Sequence, residues 1–555
     1  MKYNLKLIVI FIVIIVFSAI LRFYQIGSIP PGLTIDESSQ GYNAFSLLNT
    51  GKDRYGQPFP ILFRLFDSIQ VPLYTYLTIA PIYFFGNSIF SIRFISALSG
   101  VILIGITFLL FINFEKNRKN NSLAIISALM VAISPWAVFY SRICTEASLG
   151  VTLFILSIMF FYFSLRHRRL FPIATFILGL STHAYYSERI ISILFLIGFI
   201  WLFRKTIFLQ RRIFILGIVL FIITQIPHLW VANSGAFTRR IIQVNYFSEQ
   251  FFQENSGNLR NIPLGRLLFI VREFVSQYLA YFSPKNLFFD PDPQQGVRSM
   301  PDLSVFYSWV IIPFLFGLRS LILNRSLSFV KILILLLVIG PFAASLTRDP
   351  FATIRVLGFL WGITITIAFG LNYLLGIFSS FKLKLLTFTV VVLLSLIQLY
   401  LAYFVLLKYE RSHNYGYSYV ELLKQIELMR DKHFVVDSSR EPAAGIMFAF
   451  FKKYDPNKLQ KDLGPLVVGR YYSSFDPNEI YIVDNIEARP IFWKEDACKK
   501  QILVGDLLAI SDNQVKEHKL SFLFDIKDTA GDVVLKAYET DPDIKCNLNT
   551  KILVE

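Results

Sequence analysis

Two adjacent carboxylates, Asp36 and Glu37, stand where the first long apolar run of this 555-residue chain gives way to polar residues. Thr34 and Glu37 have the spacing of a capping box, which predicts a helix whose first turn carries both acids. A helix N-terminus favours an ionised carboxylate, so Asp36 could accept a proton from a hydroxyl or an amine. Glu37 has an equally good structural explanation, because it would complete the capping box.

Further charged side chains stand at the edges of other apolar runs. Glu146 could orient a reacting group or share a divalent metal with Asp36, but an i,i+4 ion pair with Arg142 explains it equally well. Asp290 and Asp292 are two residues apart, and Asp-Pro turns explain them more simply than a metal site. Guanidinium groups match the geometry of phosphate oxygens. The candidate phosphate ligands are Arg355, Arg189 and Arg298.

The composition is that of a membrane protein. Hydrophobic residues make up 54% of the chain, which contains 56 phenylalanines, and both are typical of polytopic membrane proteins. The formal net charge is +16, but the basic clusters lie between apolar runs, so they do not indicate nucleic-acid binding. The sequence contains no Walker loop, HExxH motif or dinucleotide fingerprint, which argues against a nucleotide-driven pump and a metalloprotease.

Long apolar runs predict about eleven transmembrane helices. The first run, 5–24, lacks a small-residue cleavage site and is interpreted as a retained span. The further runs are 89–112, 122–140, 147–165, 170–186, 188–203, 213–232, 304–323, 328–346, 354–378 and 383–407. Every second connecting loop is short and basic, which places the N-terminus in the cytoplasm and the residues after 408 outside. The predicted membrane domain, 1–408, then has two long outer loops, 25–88 and 233–303.

Both outer loops contain helical patterns. In the first loop, Tyr42, Phe45 and Leu48 share one helix face, which favours a helix lying flat at the membrane interface. In the second loop, residues 264–282 are apolar enough for a helix on or in the membrane.

The C-terminal segment 409–555 predicts a small soluble α/β domain outside the membrane. Residues 419–429 have a helical pattern. The predicted strands are 433–437, 479–483 and 506–510. Cys498 and Cys546 both lie in this segment, where a disulfide and two buried thiols are equally compatible with the sequence.

Three polar motifs together resemble a known enzyme family. LRFYQIG followed by PPGLTIDE opens the first outer loop, ISPW and YSR precede Glu146, and SLTRDP leads to Arg355. In this order they resemble the GT-C-type membrane glycosyltransferases, specifically bacterial relatives of protein O-mannosyltransferases and aminoarabinose transferases. The resemblance covers roughly the first 410 residues. Phe351 stands where such proteins often have a histidine.

The resemblance implies a GT-C-like helical fold and a transferase that takes a sugar from polyprenyl phosphate on the outer face of the membrane. The expected reaction inverts the sugar and passes it to a protein, a lipid or a glycan. Asp36 would be the general base, and arginines would stabilise the leaving phosphate without protonating it. A divalent metal at Asp36 and Glu146 is compatible with this chemistry, and no other cofactor is expected.

Aromatic side chains near Arg189 could bind the sugar. The rings of Tyr185 and Tyr186 could stack on it, although Glu188 and Arg189 could equally form a neutralised surface pair. His183 is a further candidate for contacting the sugar or the acceptor, although a lone histidine is usually structural. For Arg298, in a polar loop, solvent exposure is the more ordinary expectation.

Two other function classes compete with a transferase. A polytopic transporter or flippase of lipids or sugars would carry polar or broken helices at mid-membrane, often in repeated halves. The sequence shows no internal repeat, and its carboxylates cluster at the outer edge. A receptor with a ligand-binding tail would not explain two structured outer loops. In every case the expected surroundings include membrane lipids and no nucleic acid.

Overall fold

The computed structural model describes residues 5–546, apart from residues 115–120, 294, 378–379, 443, 474 and 476–478. The chain folds into two compact units. The first unit consists of Met1–Ile26, Val71–Tyr74 and Arg93–Val405; the second consists of Gly27–Gln70, Thr75–Ile92 and Leu406–Glu555. Most of the first outer loop therefore belongs to the same unit as the C-terminal segment.

The first unit is helical. Its helices, together with the one that enters it at residue 93, are Leu5–Phe23, Ile89–Ile112, Ser122–Ile133, Pro135–Tyr140, Glu146–Ser164, Phe171–Ser181, Tyr186–Ile207, Arg211–Val231, Ala236–Val244, Glu249–Asn255, Gly265–Ala280, Pro284–Phe288, Gln295–Arg298, Ile311–Leu323, Ser328–Ile339, Leu357–Ile377 and Phe381–Leu399. A π-helical turn, Tyr400–Leu406, follows the last of these helices.

Within the described part of the chain, seven helical segments are long and apolar enough to cross a membrane. They are Leu5–Phe23, Ile89–Ile112, Glu146–Ser164, Tyr186–Ser234, Ser328–Leu346, Thr353–Ile377 and Lys382–Glu410. The 49-residue segment Tyr186–Ser234 consists of two helices joined by a 3-10 turn at Phe208–Gln210. Ser122–Ile133 and Ser308–Leu323 are shorter apolar helices. These elements confirm the prediction of a polytopic helical membrane protein.

The helix Leu357–Ile377 lies at the centre of the first unit and is buried from Leu357 to Leu371. It packs closely against Ile311–Leu323. Glycines permit this approach, because a Cβ at Gly317 would overlap the carbonyl oxygen of Thr366 and one at Gly370 would overlap that of Pro313. Small residues at such contacts let two helix backbones approach closely. This packing fixes the position of Arg355, which lies in the 3-10 helix directly before Leu357–Ile377.

The helix predicted at 264–282 is present as Gly265–Ala280. Leu267, Val271, Val275 and Leu279 recur every four residues along it and are all exposed. Such a stripe of apolar side chains is typical of a helix that contacts lipid.

The second unit begins with a helix capped as the sequence predicts. In Ile35–Thr50, the Thr34 side chain accepts from the backbone N–H of Glu37, and the Glu37 carboxylate accepts from that of Thr34 at 3.0 Å. The expected interfacial position is wrong. Both sides of the helix are buried from Glu37 to Ala44, because it packs against Ala444–Phe451, and the Tyr42 hydroxyl donates to the carbonyl oxygen of Tyr454 at 3.0 Å.

A six-stranded mixed sheet forms the C-terminal part of the second unit. Its spatial order is Tyr481–Val483, Ile486–Ala488, Phe434–Val436, Ile502–Gly505, Val533–Glu539 and Ser521–Lys527. Phe434–Val436 is parallel to both of its neighbours, and the remaining pairs are antiparallel. A two-stranded hairpin, Phe63–Leu65 and Ser68–Gln70, lies nearer the N-terminus.

The helices of the second unit lie before, between and after these strands along the chain. Besides Ile35–Thr50 and most of Pro72–Phe85, they are Leu407–Glu410, Tyr417–Leu428, Ala444–Phe451, Pro456–Leu463, Trp493–Asp496, Asp512–Glu517 and Pro542–Lys545. The predicted helix 419–429 is confirmed, as are strands inside 433–437 and 479–483. Cys498 and Cys546 form a disulfide.

The strand predicted at 506–510 is wrong. These residues form a turn, in which the Asp506 carboxylate accepts from the backbone N–H groups of Leu508 and Ala509 at 2.9 and 2.8 Å. An aspartate that binds its own following amides competes with strand pairing. The strand instead ends one residue earlier, at Gly505.

Buried charges join the two sequence segments of the second unit. The Arg54 guanidinium is fully buried, donates to the hydroxyl oxygen of Ser39 at 2.8 Å and pairs with Glu479 at 3.8 Å. The Tyr55 hydroxyl donates to the same glutamate, and the Tyr471 hydroxyl donates to Asp53 at 2.5 Å. Burying these groups would be costly without partners, so the network specifies how segment 27–70 packs on the C-terminal residues.

Candidate functional site

Arg355 lies at the start of the membrane-spanning segment Thr353–Ile377 and contacts the loop, 347–352, that precedes this segment. Its Nη2 donates to Asp349 Oδ2 at 2.8 Å, and its Nη1 donates to Thr347 Oγ1 at 2.5 Å. The loop is tied to a neighbouring segment, since the backbone N–H and Nε of Arg348 donate to the carbonyl oxygens of Val244 and Asn245. Arg355 is therefore held by Thr347 and Asp349, which belong to the SLTRDP motif that precedes it.

Phe351, in the same loop, adopts a left-handed backbone conformation with φ of 52° and is completely buried. Its ring lies 5.6 Å from that of Tyr281, and the Tyr281 hydroxyl accepts from the backbone N–H of Ala352 at 3.0 Å. Burial raises the pKa of Tyr281 above its ordinary value. Phe351 thus anchors the loop by packing.

Arg298 reaches the same carboxylate. Its Nη2 donates to Asp349 Oδ2 at 3.2 Å, and its side chain is only 13% exposed. The solvated position expected for Arg298 is therefore wrong. Its backbone is fixed as well, because the Tyr140 hydroxyl donates to the Arg298 carbonyl oxygen at 3.1 Å.

Asp292 binds the first residue of the 3-10 helix Thr353–Val356, which contains Arg355. This buried carboxylate accepts from the backbone N–H and the hydroxyl of Thr353, at 2.9 and 2.6 Å. Asp290 instead pairs with Lys285 on the exposed side at 3.1 Å. The Asp-Pro repeat therefore includes one anchoring carboxylate that its turn-forming sequence did not reveal.

The Arg298–Asp349–Arg355 cluster carries an excess positive charge. Burial alone would raise the pKa of Asp349, but the charges of Arg355 and Arg298 hold that pKa below its ordinary value, so the carboxylate is ionised at neutral pH. Two cations share this one anion. In addition, Nη1 of Arg298 is buried and has no hydrogen-bond partner. The cluster can therefore accept an oxyanion such as a phosphate.

Tyr185 is a buried tyrosine on which the charges of this cluster act. Burial raises the pKa of its hydroxyl to about 12; the charges that act on it are those of Arg355, Arg240 and Arg298, which lower the pKa, and Glu146, which raises it. The charges of Arg355, Arg298, Arg240 and Glu146 therefore act on Tyr185, and Asp349 binds Arg298 and Arg355 directly. Asp349 lies inside the quoted motif, whereas Arg240 had no sequence signal.

Glu146 is half-buried in the first turn of Glu146–Ser164. The arginine proposed as its i,i+4 partner has other contacts. Arg142 donates to the carbonyl oxygens of Leu21 and Tyr24 at 2.6 and 2.7 Å. Its guanidinium also lies 4.7 Å from the ring centroid of Tyr403. Arg142 thus completes the hydrogen bonds at the end of the first helix.

Arg189 lies in a different group of side chains. Its Nη1 donates to the carbonyl oxygen of Phe237 at 3.1 Å, and the guanidinium lies 5.0 Å from the ring centroid of Tyr186. His183 is also here, with its Nε2 donating to the carbonyl oxygen of Thr224 at 2.5 Å. His183 therefore ties the turn after Phe171–Ser181 to the helix Arg211–Val231, as a structural histidine would.

Asp36 and Glu37 belong to the second unit. Glu37 is buried in the capping box, whereas Asp36 is exposed in the same first helical turn. The Asp36 backbone oxygen accepts from Gln70 Nε2 at 3.2 Å. The local geometry thus separates the two acids: Glu37 completes a cap, and the side chain of Asp36 reaches solvent.

A divalent metal needs several oxygen or nitrogen ligands at one place. In the described ranges, no group of three or more His, Cys, Asp or Glu side chains is placed to hold such an ion. The residues proposed for a metal, Asp36 and Glu146, lie in different units.

Comparisons with known proteins agree with the architecture. A family model described as dolichyl-phosphate-mannose-protein mannosyltransferase matches residues 70–231. Among curated proteins, none matches the chain. The crystal structure of ArnT from Cupriavidus metallidurans in the apo state is similar over 96% of this chain and 98% of its own, with 12% identity and a TM-score of 0.55.

Two further solved structures are similar to this chain. ArnT from the same organism bound to undecaprenyl phosphate has 13% identity, the same coverage and a TM-score of 0.55. The oligosaccharyltransferase AglB from Archaeoglobus fulgidus, in complex with an inhibitory peptide and a dolichol-phosphate, has 11% identity and a TM-score of 0.49, over 97% of this chain and 74% of its own. The similarity to ArnT shows that this chain has the GT-C glycosyltransferase fold, which confirms the predicted fold class.

Proposed function

We propose that this protein is a glycosyltransferase that moves a sugar from a polyprenyl-phosphate donor to an acceptor. The observation that carries the proposal is the Arg298–Asp349–Arg355 cluster, with its excess positive charge and the partnerless buried Nη1 of Arg298. The GT-C fold supports it, since ArnT has this fold and binds undecaprenyl phosphate.

In the proposed reaction, an acceptor oxygen or nitrogen forms a bond to the anomeric carbon while the bond from that carbon to the phosphate oxygen breaks. The phosphate leaves with the electron pair, and Arg298 and Arg355 stabilise its charge. Because the leaving group is already a weak base, it needs no general acid. A single displacement of this kind inverts the configuration of the sugar.

Asp36 is the proposed general base. It is an exposed carboxylate at a helix N-terminus, where the ionised form is favoured. It would take the proton that the acceptor loses as the new bond forms. Tyr185 and Tyr186 would contact the sugar, and Glu146 would orient the acceptor. The acceptor is a protein, a lipid or a glycan.

The proposed orientation places the N-terminus in the cytoplasm and the C-terminal residues outside. The alternation of basic loops supports it. The Cys498–Cys546 disulfide also supports it, because such bonds persist on the oxidising side of a membrane.

The test is turnover of synthetic polyprenyl-phosphate sugars by purified protein. Asp36→Asn keeps a side chain that suits a helix N-terminus but loses the charge that accepts a proton, so the rate should fall by about 10²–10⁴-fold. Glu37→Gln is the matched control, since glutamine can still complete the capping box. Near-normal turnover by Asp36→Asn would remove Asp36 from the mechanism. Movement of a lipid-linked sugar across vesicles with no new glycosidic bond would support a flippase instead.

A further inference from the structure

A second group of polar side chains lies at one end of three helices of the first unit, namely Phe171–Ser181, Tyr186–Ile207 and Arg211–Val231. Its members are Arg189, His183 and His228. The two histidine rings are stacked with their centroids 3.9 Å apart. Neither histidine is used in the transfer chemistry proposed above.

One edge of the Arg189 guanidinium has no hydrogen-bond partner. Its Nη1 donates to the Phe237 carbonyl oxygen, but Nε and Nη2 are buried and have no hydrogen-bond partner. The N–H groups of Nε and Nη2 point the same way, and this edge of a guanidinium binds two oxygens of one phosphate or carboxylate. The rings of Phe237 and Tyr186, at 4.5 and 5.0 Å, hold the guanidinium in place.

His228 presents a hydrogen-bond acceptor. Gln225 Nε2 donates to Thr224 Oγ1 at 2.9 Å, and this orients the amide so that its oxygen faces His228 Nδ1, 3.2 Å away. Nδ1 therefore carries the proton and donates. The other ring nitrogen, Nε2, is an acceptor in this tautomer; it is buried and has no partner, and His228 is only 4% exposed.

The arginine edge and the histidine nitrogen adjoin the same ring. The imidazole of His228 lies 5.4 Å from the Phe237 ring centroid, and the Arg189 guanidinium lies 4.5 Å from it. The neighbouring residue Glu188 packs its Cγ beside Gly150, where a Cβ would lie 3.6 Å from it.

We infer that Arg189 and His228 form a second oxyanion subsite, which binds the phosphate monoester of a lipid. Two phosphate oxygens would accept from Nε and Nη2 of Arg189, and the hydroxyl of a singly ionised phosphate monoester would donate to Nε2 of His228. A carboxylate or a phosphodiester has two such accepting oxygens but no hydroxyl that could donate to His228. His183 acts as a positioning residue, because its stacked ring holds the imidazole of His228.

The surrounding surface is compatible with a phosphate that is attached to a lipid. Ile226, Leu229 and Trp230 flank His228 on the same helix and are 54%, 67% and 81% exposed. An acyl or prenyl chain would cover such side chains. In the proposed transfer, the product is a polyprenyl phosphate monoester, so this subsite would hold the product lipid. The lipid part of the inference rests on the proposed function, whereas the oxyanion part does not.

The test counts bound lipids by native mass spectrometry of the full-length protein in detergent, with undecaprenyl phosphate as the probe. Wild type should bind two molecules. Arg189→Gln should weaken one of them by about 10–100-fold, the effect of losing hydrogen bonds to a charged group. Arg260→Gln is the control, because Arg260 is an exposed arginine of the same unit; it should bind as wild type does.

Four outcomes decide the inference. Unchanged binding by folded Arg189→Gln overturns it, as does equal binding of undecaprenol, which has the chain without the phosphate. Displacement of one lipid by millimolar inorganic phosphate in wild type but not in Arg189→Gln confirms an oxyanion site and overturns the lipid preference. If no donor is turned over but Arg189→Gln still loses one lipid, the proposed function fails and the subsite stands.

Discussion

Replacing Arg298 by glutamine tests the phosphate cluster most directly. The change removes the buried Nη1 and one of the two hydrogen bonds to Asp349 Oδ2. Asp349 still accepts from Arg355 at 2.8 Å, so the carboxylate is not left without a partner. The protein should therefore remain folded, and the effect should appear in the reaction.

The magnitude follows from the lost contact. A hydrogen bond to a charged group contributes about 1.5–3 kcal/mol, and each 1.4 kcal/mol is a factor of about ten. Arg298→Gln should therefore lower kcat/KM for a polyprenyl-phosphate sugar by about 10–150-fold. Because charge on the leaving oxygen grows in the transition state, part of the loss should be in kcat as well as in KM.

The assay compares initial rates over a range of donor concentrations for Arg298→Gln, Arg355→Gln and the double variant. The two arginines share one carboxylate, so their effects should not be additive and the coupling should be about 0.5–3 kcal/mol. Arg260→Gln should behave as wild type. A kcat/KM for Arg298→Gln within about twofold of wild type, in monodisperse protein, would refute phosphate binding by this cluster.

Two further changes test other parts of the structure. Burial raises the pKa of Asp53 from 3.8 to about 6. Between about pH 4 and 6, the folded protein therefore holds a proton on this carboxyl group that the unfolded chain has lost. This contribution to stability is largest below pH 4 and is lost as the pH rises through 6. The Tm of wild type should accordingly fall relative to that of Asp53→Asn between pH 4 and 7, and parallel curves would contradict the assignment. A Cβ at Gly150 would lie 2.8 Å from Cβ of Tyr185, so Gly150→Ala should displace the tyrosine and lower kcat/KM several-fold, roughly 1 kcal/mol. Gly105→Ala, whose Cβ would meet only Ile15 at 3.9 Å, should leave the rate unchanged; equal rates for both variants would contradict a role for Tyr185.

Features with short-range causes could be predicted from the sequence. The capping box of Thr34 and Glu37 needs only residues three apart, and the helix Tyr417–Leu428 follows from its own periodicity. The GT-C fold was recognisable because three polar motifs keep their order along the chain. In each case the information lies within one element or in the order of elements.

Features with long-range causes were missed. Tyr55 and Glu479 are 424 residues apart, and nothing near either residue indicates the partner. The stacking of His183 on His228 likewise depends on how two helices meet. The error at 506–510 has a local cause of another kind: a single carboxylate, that of Asp506, binds two following amides and outweighs an apolar pattern.

Asp349 illustrates why a carboxylate belongs in a site built for an anion. Two buried guanidinium groups side by side repel each other, and one shared carboxylate reduces that cost. In the proposed reaction it also sets the charge balance. The donor phosphodiester carries one negative charge, which matches the net charge of two arginines and one aspartate. The product phosphate monoester carries about −1.5 to −2 at neutral pH. Without Asp349, the positive charge of the two arginines would match the negative charge of the product, and release of the product would be slower. Asp349 therefore lets the cluster bind the donor without trapping the product.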